Sequence, residues 1–532
     1  MSDTSSEHLH PTISRRTALL GAAGVAAGLA VGANSEAFAA TSKARAKKGG
    51  NLRVGVPGNG VKDIIDGQNI LTKADQARLM AGWETLLTFD RDYKLQTDGL
   101  AESVEASGKL AYTIRLRKGL EFHNGKSVTA DDVIYSLRRL TTKKLALDGG
   151  TGVTSIDPAK LKKMDELTVR VGLHQPDSTI PFGLASYTAG IVPVGYTSTG
   201  TSMKTGQIGT GPFMLDSFDP GKQSVHSRFA NYWRGNGLPY LDQVTVIDLD
   251  DDTARINALI SGQIDVMSDV PFATTKLITG QGSLVLFENA GAGWLPLNMR
   301  IDQKPFTDVR VRQAFRLIVD RPAMLEQAIA GHGRIANDLY SAFDPAFLKL
   351  PQRHQDIEKA KSLLKAAGQE NLTIDLPTNE QAAGMNALCK VFAQQAKAAG
   401  VTVNVKVLDS TAFNNGYKKW TFSPDFWGTR FYLPQVAQGS LAGAPFNCTH
   451  WPPAGSKFAK MYQQALASGN AAQRTEIEHQ MMHMEFESGG YIIPFNNNLV
   501  DAYSKKVTGF QKNRGTLNLD SFGRNYTEVS FT

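Results

Sequence analysis

Between Tyr112 and Leu140 the hydrophobic period switches from two to about 3.6 within one continuous stretch, which commits the chain to packing strands against helices. Tyr112-Thr113-Ile114-Arg115-Leu116 alternates as a half-buried strand does, and Lys118-Gly119 through Asn124-Gly125-Lys126 supplies the turn residues of a hairpin. Thr129 then stands where it caps a helix with Asp132 in its first turn, and Val133, Ile134, Leu137 and Leu140 form the apolar stripe. Leu52 to Val56 reads as a first strand. Asp356 caps a helix with Ile357, Ala360, Leu363, Leu364 and Ala367 facing inward and Gly368 at a left-handed end. Asp308 to Ile329 reads as two helices broken at Asp320-Arg321-Pro322, where proline suits a first turn, and Gly331 to Gly333 ends the second. Without a short repeat, this alternation predicts a mixed α/β architecture.

The amino terminus has the layout of an export signal. Arg15-Arg16 precedes a Gly- and Ala-rich apolar run to Gly32, which points to the twin-arginine route, and Ala37-Phe38-Ala39 offers the small residues a signal peptidase needs. Residues 1–39 are expected to be removed, leaving 493 of 532 residues, enough for two or three compact units. No other segment suits a membrane span, and no cysteine near the cut is available for a lipid, so a periplasmic chain is expected. The remainder carries a formal charge of about +8, with its only basic cluster at Lys43 to Lys48, which reads as a solvated leader and not a nucleic-acid surface. Cys389 and Cys448 are the only cysteines, and the sequence leaves open whether they form a disulfide or two buried thiols. Thr141 to Pro158 and Thr197 to Thr205 are polar and read as surface connections.

A search for catalytic chemistry returns little. There is no Gly-x-Ser-x-Gly elbow, no phosphate-binding Gly-x-x-x-x-Gly-Lys-Ser/Thr loop and no Cys-x-x-Cys spacing, and Gly209-Thr210-Gly211 reads as a tight backbone turn. His479 and His483 share a helix face beside Glu478 and Glu485, but no third ligand is identifiable, and the better reading is a helix burying Ile477, Met481 and Met484. No enzyme, metal or cofactor is expected.

Trp83-Glu84-Thr85-Leu86-Leu87, Gly99-Leu100-Ala101-Glu102-Ser103, the run from Tyr112 to Leu137, Gly209 to Phe213, Asn231-Tyr232-Trp233 with Leu241-Asp242, Gly262 to Val266, Asn298, Pro305-Phe306, Asp308 to Ala314 and Asp320-Arg321 follow one another in an order that resembles the family 5 extracytoplasmic solute-binding proteins of peptide and nickel importers. The resemblance implies a two-lobed periplasmic binding protein of type II, in the large peptide-binding class, with an extra subdomain in lobe I. It places lobe I at 49–285 plus 490–532, with the subdomain near 90–185, and lobe II at 286–489. It also implies ligand capture at the seam, delivery to an ABC permease in the inner membrane, no catalysis and a monomer.

For the ligand the resemblance points to Trp294 and to the segment Trp420 to Tyr432, with Trp420, Trp427, Arg430, Phe431 and Tyr432 as candidates and His450 from a nearby loop. Arg430 has the planar fork that matches a carboxylate. Peptide binders of this family place an acid shortly after the counterpart of Trp427, to neutralise a peptide amino terminus; here Gly428 to Gln435 contains none, with Asp425 two residues upstream as a substitute. A short peptide is the expected ligand, with an opine, a sugar-linked or another modified solute as the alternative, for import or sensing.

Overall fold

In a computed structural model of the chain, the structure describes residues 47–532 except 59, 71, 199–205 and 516, and leaves the side chain of 410 out. The signal segment and most of the stretch from Thr197 to Thr205 lie outside the described residues. The central sheet has eight strands in the order Leu284–Trp294, Phe495–Ser504, Val266–Met267, Asn51–Val56, Gln243–Asp248, Gln223–Arg228, Phe213–Asp219, and Gly333–Ile335 joins it on Phe495–Ser504. Asn51–Val56 pairs in parallel with both of its neighbours, burying Leu52, Val54 and Val56 in one core with the helix Lys73–Gly82. The other ladders of the sheet are antiparallel, and strands with helices against them give the mixed α/β architecture that the sequence alternation predicts.

The hairpin and helix around Tyr112 form a unit of their own on this first lobe. Ala101–Ala106, Ala111–Leu116, Thr168–Leu173 and Ile156–Lys163 make an antiparallel sheet, and the helix Ala130–Thr141 buries Val133, Ile134, Leu137 and Leu140 in the core over it. Asp132 accepts from both the backbone N–H (2.9 Å) and the hydroxyl (2.9 Å) of Thr129, which fixes the helix start. The Lys118 to Lys126 hairpin is reduced to a tight turn whose bridge is Glu121 with Ser127. Gly209 and Gly211 serve a close approach of two backbones instead of a turn: a Cβ on Gly209 would lie 1.9 Å from the Gly82 carbonyl oxygen.

The second lobe has two cores, drawn almost entirely from residues 294–495. Val309–Ile318 and Arg321–Ile329 are capped by Asp308 and Asp320, and Asp356 caps Ile357–Ala366, with Gly368 at positive φ after its end. Buried Arg316 donates to the carbonyls of Phe486 (3.0 Å), Gly489 (2.7 Å) and Tyr491 (2.8 Å), so a cation satisfies the open end of the helix Ala471–Ser488. The same helix carries His479 and His483 and buries Met481. Cys389 and Cys448 are both buried and free, Cys389 on the helix Met385–Ala396 and Cys448 in the loop after Tyr432–Gly439.

The lobes are joined by Leu284–Trp294 and Phe495–Ser504, which pair antiparallel along nearly their whole length, with a register shift between Asn289 and Gly293. One end of this ribbon packs Leu284, Val500 and Ala502 in a first-lobe core, and the other delivers Trp294 and Phe495 to the second. No helix among the described residues is long and apolar enough to cross a membrane.

Candidate functional site

A cleft of about 1700 Å³ opens between the lobes over the ribbon. Phe89, Tyr93, Asp148, Phe182 and Tyr187 line it from the first lobe, Phe426, Trp427, Arg430, Phe431 and Phe446 from the second, and Asn497 and Leu499 from the ribbon itself.

The segment after Pro424 is bound to the ribbon edge, which explains why aromatic residues cluster there. Trp294 and Trp427 exchange backbone hydrogen bonds (2.9 and 3.0 Å), and their rings stack at 5.6 Å with 8° between planes. Tyr340 stacks on the other face of Trp294 and Tyr432 on Tyr340, so four rings form a column from the cleft wall into the lobe interior. The column ends on buried Glu485, which accepts from the hydroxyls of Tyr340 and Tyr432 and whose carboxyl burial pushes up to about 7. Only Trp427 faces the cleft, at 8% exposure, while Trp294 is 1% exposed and Tyr432 fully buried.

The other candidates divide likewise. Trp420 donates its indole N–H to the Phe413 carbonyl (3.1 Å) and packs on the second-lobe core, away from the cleft. His450 is bound on an outer surface, donating Nε2–H to the Lys418 carbonyl (3.1 Å), with Nδ1 3.1 Å from Asp302. Phe431 crosses the seam: its ring meets Tyr93 at 5.0 Å, Phe182 at 4.7 Å and Phe89 at 5.8 Å. Arg430 lies over the Trp427 ring at 5.5 Å. Asp425 faces the lobe interior, 5% exposed, accepting from Tyr417 (3.2 Å) and its neighbour's N–H (2.9 Å), with burial pushing its carboxyl up to about 6. It therefore offers the cleft no charge.

Among the described residues six lysines and arginines line the cleft. Five have carboxylate partners: Lys73 with Asp269, Arg91 with Glu528, Arg234 with Asp98, Arg255 with Asp252 and Arg524 with Asp520. Among the described residues Arg430 has none within ion-pair distance.

Sequence reading missed the turn Asp148–Val153, which it took for a surface connection. This 3₁₀ turn is built into the cleft wall: a Cβ on Gly149 would lie 2.0 Å from the Thr188 carbonyl oxygen, and one on Gly152 2.9 Å from the Gly183 Cα. Glycine at both positions lets two backbones touch, and the Gly149 N–H donates to the Gln68 carbonyl (3.3 Å). Asp148 accepts a backbone N–H from Ile70 (3.2 Å), and its carboxyl is raised by burial, against which that bond and the Arg430 charge pull down. Tyr187, pushed up to about 12 by burial, feels both Arg430 and Asp148. The glycines of Asp148-Gly149-Gly150 were the only local signal, and the Thr188 backbone that Gly149 touches lies far off in sequence.

Known proteins share the family and the fold of this chain. The sequence profile of the bacterial extracellular solute-binding proteins, family 5 (middle), matches residues 97–439. The chain is 27% identical over 453 residues to the glutathione-binding protein GsiB of Pectobacterium atrosepticum and 26% identical over 455 residues to that of Escherichia coli K12, covering 82% of this chain and 87% of each relative. Among solved structures it is similar to the binding protein AgaA in complex with agropinic acid from A. tumefaciens R10 (TM-score 0.77, 23% identity, 91% of this chain and 99% of that one). It is also similar to the oligopeptide-binding protein AppA of Bacillus subtilis in complex with a nonapeptide (TM-score 0.75, 20% identity, 92% and 100%). These likenesses share the two-lobed fold.

Proposed function

Because the chain belongs to family 5 of the bacterial extracellular solute-binding proteins, we propose that it captures a short peptide with a free carboxylate between its lobes and delivers it to the permease of an ATP-driven importer. The observation that carries this reading is Arg430, a cation on the cleft wall left without a carboxylate partner among the described residues while five others are paired. An unpaired guanidinium beside an aromatic wall is a ready receptor for a carboxylate, through two parallel hydrogen bonds. Trp427, Phe426 and Phe446 supply apolar surface next to it, Phe426 being 47% exposed. The likeness to glutathione-binding proteins over most of the chain supports a small peptide.

A second reading is an opine or another modified solute, favoured by the lack of any acid in Gly428 to Gln435, where peptide binders of the family carry one, and by the fold's likeness to a structure holding agropinic acid. The protein works as a monomer outside the cytoplasm, exported by the twin-arginine signal, with the lobes divided near 285 and 490. Binding requires no chemical step, so ligand leaves unaltered.

Mass spectrometry of molecules released by denaturing protein purified from its native compartment tests this. Short carboxylate-bearing peptides are the expected result, an amine-free or sugar-linked solute would move the assignment to the second reading, and a chemically converted product would argue for catalysis. Export is checked by replacing Arg15 and Arg16 with lysine, which should retain the precursor in the cytoplasm.

A further inference from the structure

A ligand amino group buried in this cleft needs a countercharge, since an unpaired ammonium there costs several kcal/mol. The stretch Gly428 to Gln435 that follows Trp427 contains no acid, and Asp425 faces the interior. Most other carboxylates on the wall already serve the protein. Asp90 accepts from the N–H groups of Asp92 (2.9 Å) and Lys94 (2.8 Å), Asp177 from the N–H (2.8 Å) and hydroxyl (2.6 Å) of Thr179, and Glu380 from two N–H groups of the chain that follows it. Asp251 caps the helix Asp252–Ser261.

Asp148 differs. Among the described residues its Oδ2 accepts one backbone bond of 3.2 Å, no cation lies within ion-pair distance of it, and its Oδ1 accepts no hydrogen bond. Its turn is fixed from behind by the Gly149 and Gly152 contacts and from across the cleft by Gln438, whose amide donates to the Thr151 hydroxyl (3.2 Å). Gln438 belongs to the helix Tyr432–Gly439, which begins two residues after Arg430, and Tyr93 donates to the Thr429 carbonyl (3.1 Å) one residue before it. Asp148, Tyr187 and Arg430 therefore line one cleft, with both charges acting on the Tyr187 hydroxyl, and no direct ion pair joins Asp148 to Arg430 among the described residues.

We propose that Asp148 and Arg430 together read one α-amino acid head group, with Asp148 receiving the ammonium and Arg430 the carboxylate carried by the same carbon. This rests on the reading of the cleft as a carboxylate-binding site and narrows the ligand class. A γ-glutamyl peptide presents such a head, whereas the two charges of an ordinary linear tripeptide stand at opposite ends of an extended chain, roughly 10 Å apart at about 3.3–3.6 Å per residue.

The test uses calorimetry with three probes on the full exported protein: reduced glutathione, its N-acetyl derivative and trialanine. Glutathione should bind, N-acetylation should weaken it on the order of tenfold to a hundredfold, and Asp148→Asn should abolish that discrimination by weakening glutathione alone. The wild-type comparison of the first two probes needs no variant, so it stands even if Asp148→Asn folds poorly. Equal binding of glutathione and N-acetylglutathione by the wild type, or intact discrimination in Asp148→Asn, overturns the proposal. Tight binding of trialanine without glutathione binding overturns it while leaving peptide capture standing; failure of all three probes overturns both.

Discussion

Arg430 and Trp427 are three residues apart and differ in what their removal should do. Arg430 makes a ring contact and no ion pair among the described residues, so Arg430→Ala should leave unfolding in denaturant nearly unchanged while weakening carboxylate-bearing ligands by a factor of ten or more; loss of stability without loss of affinity would assign the residue to the scaffold. Trp427 instead heads the column of stacked rings that runs through Trp294 and Tyr340 to Tyr432, so its truncation opens a cavity next to a fully packed core. Trp427→Ala should cost about 3–5 kcal/mol in denaturant unfolding, and ligand affinity is better tested with Trp427→Phe, which keeps a ring against Trp294. The sequence could group these aromatics but not separate them. Trp294, Tyr432 and Trp427 have the same composition signal, and which ring faces the cleft is decided by the backbone pairing of Trp294 with Trp427.

At the scale of elements, the turn from Leu120 to Val128 docks on the close-packed Gly209–Gly211 strand entry through one histidine. His123 accepts the Gly209 N–H at Nδ1 (3.3 Å) and donates Nε2–H to the Gly211 carbonyl (2.9 Å), an arrangement only the neutral ring can make. Burial lowers its pKa to about 4, against the Gly211 bond that raises it. The unfolded chain therefore binds the proton first: the stabilisation is whole above about pH 6.5 and is lost as pH falls toward 4. On acidification from pH 7 to 5, His123→Gln should lose about 1–2 kcal/mol less stability than the wild type, read as a smaller drop in melting temperature. Buried His226, lowered to about 3, stays in both proteins and cancels. Equal drops would place the acid sensitivity elsewhere. Elements like this one were legible because their signals are local: the Thr129 cap, the stripe on Ala130–Thr141 and the Asp356 cap all sit within a few residues of what they control. The turn at Asp148 was not, because Gln68 on one side and Gly183 and Thr188 on the other, which make it a wall, come from two distant stretches of chain.

For the whole molecule, two strands hold the lobes together and a small set of contacts holds them closed. Across the seam, Ser178 donates to the Leu466 carbonyl (3.1 Å), Tyr93 to that of Thr429 (3.1 Å) and Gln438 to Thr151 (3.2 Å), while Phe431 fits among Phe89, Tyr93 and Phe182. The hydrogen bonds exchange readily for water when the lobes part, so their net contribution is small. The aromatic cluster is different, because opening exposes three ring contacts at about 0.5–1.5 kcal/mol each beyond area burial. A ligand shifts the balance only by its preference for the closed state, and apparent affinity falls with the fraction of molecules that start there. Phe431→Ala should therefore enlarge the radius of gyration of the ligand-free protein in X-ray scattering and weaken every ligand by about the same factor, whatever its charge, whereas Arg430→Ala weakens only those carrying a carboxylate. A uniform loss with no change in scattering would mean that Phe431 binds ligand and does not govern closure.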